Sequence, residues 1–197
     1  MKGYIVRFFV LIVFNISVFN CSFDPYIRRT ENQTPVRQCY FPIYYAISFN
    51  TPEEYREPIK NGLRYWNLKL QHYIFYDDGV ISWGPQNPRT DTILAIGMGS
   101  DEYFKKDKIC ALALYTYDKK SGCFLTSKIL FKDRCMKSPD IINTLTRHEA
   151  GHLLGLGHFP EGNVMYKSVI TTKDHPVDAS NAEVQAVWKL YKHVWEE

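Results

Sequence analysis

Net charge of either sign is nearly missing from this chain: 24 lysines and arginines face 21 aspartates and glutamates, for a formal charge of +3. Lys2 and Arg7 belong to a leader argued below, and removing these two lowers +3 to +1. A balance so close to neutral offers no electrostatic footprint for a nucleic acid, and no such partner is expected. Internal repeats and low-complexity tracts are also lacking, which excludes a repeat architecture. The apolar stretch Phe8 to Phe19 is interrupted at Asn15 and Ser17 and spans only twelve residues. That is too short to cross a bilayer as a mature helix.

What is present suits one folded domain. A chain of 197 residues with 45% hydrophobic and 23% charged residues can bury a sizeable core, and is short for two domains. The basic start at Lys2 and Arg7, followed by the short apolar stretch, reads as a signal peptide over residues 1–20. Cys21 directly after it resembles a bacterial lipoprotein processing box, with Phe19 and Asn20 in place of the usual small residues. This implies a lipid on Cys21 and a membrane-anchored, exported protein; the alternative is a secreted protein cut nearby. Residues 21–39 then read as a tether, polar from Ser22 to Gln38, and 40–197 as the folded domain. Four further cysteines, Cys39, Cys110, Cys123 and Cys135, suggest two disulfides in an exported protein. Cys110 and Cys123 flank an expected hairpin and are the preferred pair, which leaves Cys39 with Cys135.

Alternation of aromatic and branched residues marks a strand over Tyr40 to Phe49. Thr51 is placed to cap a helix whose first residue is Pro52, and Tyr55, Ile59, Leu63, Trp66 and Leu70 follow at helical spacing. A short strand from Tyr73 ends in the turn Asp77-Asp78-Gly79, and Thr92 to Ile96 forms another. Ile109 to Tyr117 and Phe124 to Phe131 form a hairpin closed by Asp118 to Gly122. Ser138, Pro139 and Asp140 start a further helix, and Gly155 is placed to end it. Ser180 caps a last helix that runs to Tyr191.

The chemistry concentrates in the run from His148 to His158. His148 and His152 lie four apart on one helix, so both imidazoles leave the same face one turn apart. That spacing lets two nitrogens reach one zinc ion at about 2.0–2.1 Å. Glu149 sits beside them as a general base for a metal-activated water, and as the acid that protonates the leaving amine. Gly155 allows a positive φ and Gly157 a second flexible point, so the chain can swing back and deliver His158 as a third ligand. Three protein ligands with one open position describe a catalytic zinc.

The run His148 to His158, with its glycine at Gly155, resembles the metzincin zinc signature in full. Asn163-Val164-Met165-Tyr166 is similar to the methionine turn below the metal in that family, and the pair Met165-Tyr166 looks most like the matrixins. The resemblance implies a zincin-like α+β fold: a twisted, mostly parallel sheet with an active-site helix and a C-terminal helix. It implies one catalytic zinc on His148, His152 and His158, Glu149 as catalytic base, and Met165 as a hydrophobic floor. The strand Ala111 to Tyr115 falls where matrixins pair an extended substrate with an edge strand, which makes Leu112 and Ala113 candidate substrate-binding residues. The pocket wall falls roughly at Lys167 to Pro176.

Some residues depart from the family pattern. No histidine lies between His72 and His148, so the upstream ligands of a second, structural zinc are missing. A calcium ion would sit near Asp77 and Asp78, although a turn with two acids is more often simply solvated. Cys39 is expected in a disulfide rather than in a latency role, and His72, His175 and His193 as surface or packing residues. The expected function is therefore a monomeric zinc endopeptidase acting on proteins or peptides. The rival is a non-catalytic surface lipoprotein that keeps the fold for binding; a third option takes Glu183 as the third zinc ligand.

Overall fold

The computed structural model describes residues 27–81, 93–104, 109–159, 163–166 and 177–196. Five strands, β1 (Ile43–Ser48), β2 (Phe75–Ile81), β3 (Ile93–Met98), β4 (Ala111–Tyr117) and β5 (Phe124–Phe131), form one sheet in the order β2-β1-β3-β5-β4. Among the described residues three α-helices accompany them: α1 (Glu53–Leu70), α2 (Pro139–Leu153) and α3 (Asn181–Trp195). All pairings are parallel except β4 with β5, so β4 runs against the others and forms a sheet edge. The expected α+β fold, with a mostly parallel sheet, an active-site helix and a C-terminal helix, is the one observed.

The register explains which sheet face is buried. Ile47 pairs with Ile96, Ile96 with Ile129 and Tyr45 with Leu94, so these side chains form rows across the strands. They join one core with Ile59, Leu63, Trp66 and Leu70 of α1 and Ile142 and Leu145 of α2. The two helices thus cover this face, and each fully buried leucine or isoleucine contributes about 1.5–3 kcal/mol. The helices approach closely at Gly62. A Cβ placed there would overlap Thr146 and reach Asn143 O at 3.0 Å. Trp66 seals the same interface by donating from Nε1 to Arg147 O at 2.8 Å.

Four local expectations need correction. Pro52, with ψ of 141°, is itself the cap of α1, while the buried Thr51 hydroxyl finds no hydrogen-bond partner. Asp77-Asp78-Gly79 is no turn: β2 continues through it as a bulge, with Tyr45 paired to Asp77 and Ile47 to Val80. Gly79 takes φ of +92° there, and its N–H donates to Asp77 Oδ1 at 3.0 Å. The Asp77 carboxylate is ion-paired with Lys60 Nζ at 2.7 Å, an arrangement that does not support a calcium site.

The third correction concerns the tether. From residue 27 onward the segment is docked on the domain through its backbone, with Arg28 N–H on Gly155 O at 2.9 Å and Arg37 N–H on Gly122 O at 3.0 Å. Val36 is buried. Its polar side chains suggest a linker, but order comes from main-chain pairing that composition does not report. The fourth concerns the disulfides, which join Cys39 to Cys123 and Cys110 to Cys135. Cys110 and Cys123 precede the two strands of an antiparallel pair, so they lie at opposite ends of the hairpin and cannot meet. His72 stacks on Trp195, with ring centroids 4.4 Å apart, a packing role as expected.

Two outcomes test this packing. Gly62→Val should lower stability by about 3 kcal/mol through overpacking at Thr146, read as a drop in Tm. Non-reducing peptide mapping should recover the Cys39–Cys123 and Cys110–Cys135 fragments, and a Cys110–Cys123 fragment would contradict the hairpin geometry.

Candidate metal centre

α2 starts as the sequence predicts. Ser138 accepts the N–H of Ile141 at 3.3 Å, and Asp140 sits in the first turn against the positive end of the helix. The helix ends at Leu153 in a full Schellman turn, with Leu156 N–H on Gly151 O at 3.0 Å and Gly155 N–H on His152 O at 3.1 Å. Gly155 has φ of +86°, and a Cβ there would meet Val36 O at 2.7 Å. Glycine is thus required twice, for the turn and for the N-terminal segment packed on it. Gly157 takes no positive φ, so the reversal rests on Gly155 alone.

The reversal brings His158 beside the pair on α2. The ring centroids of His148, His152 and His158 lie 4.7, 5.4 and 4.9 Å apart, and their available ligand atoms all lie within 4.8 Å of one another. His148 Nδ1 donates to Val164 O at 2.7 Å, and His152 Nδ1 donates to Leu156 O at 2.9 Å. A carbonyl can only accept, so both Nδ1 atoms carry the proton and both Nε2 atoms keep a lone pair. Burial pushes the His148 imidazolium down to about 4 and lowers His152 as well, so both rings are neutral at physiological pH. Neutral, tautomer-locked imidazoles are the donor set that zinc prefers, and the three histidines fit that ion.

The floor of the site is the turn at Asn163 to Tyr166. Tyr166 N–H bonds Asn163 O at 3.0 Å, and Met165 is fully buried. Its sulfur lies so near the α2 backbone that any Cβ on Gly151 would overlap it. The turn is clamped from α3: Glu183 Oε1 accepts Met165 N–H at 2.7 Å, while Oε2 accepts Ser180 N–H at 2.6 Å. Glu183 is committed to the turn and the helix cap, and it is not part of the cluster formed by His148, His152 and His158. The spacing of Ser180 and Glu183 signals a capping box in sequence. Its second use, as an anchor for the turn, carries no local signature, and neither does the need for glycine at Gly151.

Glu149 is buried beside the histidines, and its Oε2 accepts the N–H of Ala113 on β4 at 2.6 Å. Burial pushes its carboxyl up to about 7, against the pull of the Ala113 N–H and the Arg28 charge. The pairing of β4 sorts its backbone groups. Cys110 O accepts Lys132 N–H at 2.9 Å, so even-numbered residues face β5 by alternation and odd-numbered ones face the open edge. The main chain of Ala113 therefore faces the open edge, while that of Leu112 is turned to β5. Cys21, His175 and the pocket wall at 167–176 lie outside the described residues.

The family model for matrixins, a group of peptidases, matches residues 88–192. The chain belongs to the matrixin family. It is a zinc metallopeptidase of that family acting on peptides, and its three-histidine cluster is suited to hold the ion. A search of curated proteins finds no sequence match. Among solved structures, archaemetzincin from Methanopyrus kandleri shares the fold at 11% identity and a TM-score of 0.53, covering 76% of this chain and 94% of that one. High choriolytic enzyme 1, a hatching enzyme zinc-protease from Oryzias latipes (Medaka fish), aligns at 12% identity and a TM-score of 0.44, covering 85% and 94%. Myroilysin aligns at 11% identity and 0.45, covering 79% and 86%.

In this matrixin, Glu183→Ala leaves the Met165 and Ser180 N–H groups without acceptors. It should cost about 2–4 kcal/mol in unfolding free energy and speed zinc loss to a competing chelator. Unchanged zinc retention would show that the clamp on the turn does not support the histidines.

Proposed function

We propose that the chain is a zinc endopeptidase in which His148, His152 and His158 hold the metal and Glu149 is the catalytic acid–base. The observation that carries this reading is the place of Glu149, buried next to the ligands yet bonded to Ala113 N–H on the open strand edge. Zinc bound there supplies Lewis acidity, which polarises a carbonyl and acidifies a water. Glu149 takes the proton of the attacking water on a carboxylate oxygen and returns it to the leaving nitrogen. Met165 keeps the floor apolar and holds α2 in place.

The edge of β4 orients the substrate. Main-chain groups of Ala111, Ala113 and Tyr115 lie on the free side, so an extended chain can add to the sheet on both sides of Glu149. A binding edge that continues in both directions favours internal bonds over chain termini, which supports an endopeptidase. The two disulfides support export to an oxidising compartment. With that export go a signal peptide over residues 1–20 and a lipid on Cys21 as the membrane anchor. Among the described residues no helix is long and apolar enough to cross a membrane.

The purified protein should carry about one zinc per chain and cleave a denatured protein at internal bonds, with activity lost to a chelator. Glu149→Ala should keep its zinc while activity falls about a hundred- to ten-thousandfold. Undiminished cleavage by that variant would sink the mechanism, and stoichiometric zinc with no cleavage would favour the binding-protein reading.

A further inference from the structure

The family match begins at residue 88 and leaves the N-terminal segment unaccounted for. That segment carries a cation to the open side of β4. Ile27 bridges Leu156, just past the turn that delivers His158, and the Arg28 backbone is held on both sides. Its N–H donates to Gly155 O at 2.9 Å and its carbonyl accepts Val36 N–H at 2.8 Å. The side chain then reaches β4, where Nη1 donates to the Tyr115 hydroxyl and the guanidinium sits 5.5 Å from the centre of that ring. Tyr115 is one of the odd-numbered residues on the free edge, two along from Ala113.

We propose that Arg28 is a specificity-determining residue, selecting substrates with an aspartate or glutamate side chain about two residues from the scissile bond. This rests on the endopeptidase reading above, with Glu149 marking the cleavage point opposite Ala113. A substrate residue paired near Tyr115 then lies beside the guanidinium.

Three features make the group suited to recognition. Guanidinium presents a planar fork of five N–H donors, of which the Tyr115 hydroxyl takes one. Among the described residues, no carboxylate forms an ion pair with it. The pinned backbone means less chain freedom is lost when a ligand binds. The group also lies beside the turn that delivers His158, since Ile27 bridges Leu156 and Arg28 N–H bonds Gly155 O at 2.9 Å.

The test uses peptides that differ at one residue, Asp against Asn, placed in turn at each of three positions on either side of the cut. The purified protein should favour Asp over Asn at one position, by about five- to tenfold in kcat/KM at low salt, and less as salt rises. In Arg28→Gln that ratio should fall close to one. In Arg28→Glu the same position should come to prefer Lys, a reversal that misfolding cannot produce. An equal rate for Asp and Asn at every position would overturn the proposal, as would a ratio that survives Arg28→Gln. Failure of the unaltered protein to cut any peptide would instead overturn the endopeptidase reading, and this proposal with it.

Discussion

The chain reversal at Gly155 is the constraint on which the site depends. Ending α2 in a left-handed residue does more than stop a helix. It turns the backbone so that Leu156 O faces back to His152 Nδ1, and that bond fixes the tautomer of the second histidine. The same turn puts His158 beside the pair and exposes Gly155 O to the N–H of Arg28. A side chain at this position would face both backbone strain and the Val36 carbonyl. Helix terminus, metal donor set and docked N-terminal segment are therefore one structural event.

A second layer holds the first in place. The carbonyl that orients His148 belongs to Val164, in the same turn that buries Met165 against Gly151. That turn is fastened to the start of α3 by a carboxylate that caps the helix with one oxygen and holds Met165 with the other. The ligands thus borrow their rigidity from two carbonyls, a glycine and a buried acid, none of which touches the metal position. Supports of this kind orient ligands and set their basicity.

How much of this was legible depends on the range of the interactions. α2, its cap, its two histidines and His158 beyond the break could be read because their signals are local: spacing on a helix, a serine cap, a glycine at the break. β5 was legible for the same reason. The disulfide pairing was not, because it follows from strand direction, and flanking a hairpin in sequence differs from meeting across it. The order of residues 27–38 was not legible, because it comes from backbone bonds to Gly155 and Gly122 in a mostly polar segment. Asp77-Asp78-Gly79 has turn composition, yet pairing with β1 carries the strand through it as a bulge. Glu183 stood in the sequence only as a rival third zinc ligand, and its anchor role was hidden because Met165 is its neighbour only in space.

The bond between Glu149 and Ala113 has a consequence for solubility. A bare sheet edge is a template for any extended chain, including a second copy of the same protein, and is a recognised route to aggregation. Here the row of edge donors on β4 is interrupted midway by a buried carboxylate. A stray strand arriving there meets an N–H already bonded to the carboxyl, and loses a rung of its ladder. The edge proposed to take up substrates is thereby a poor seed for self-association.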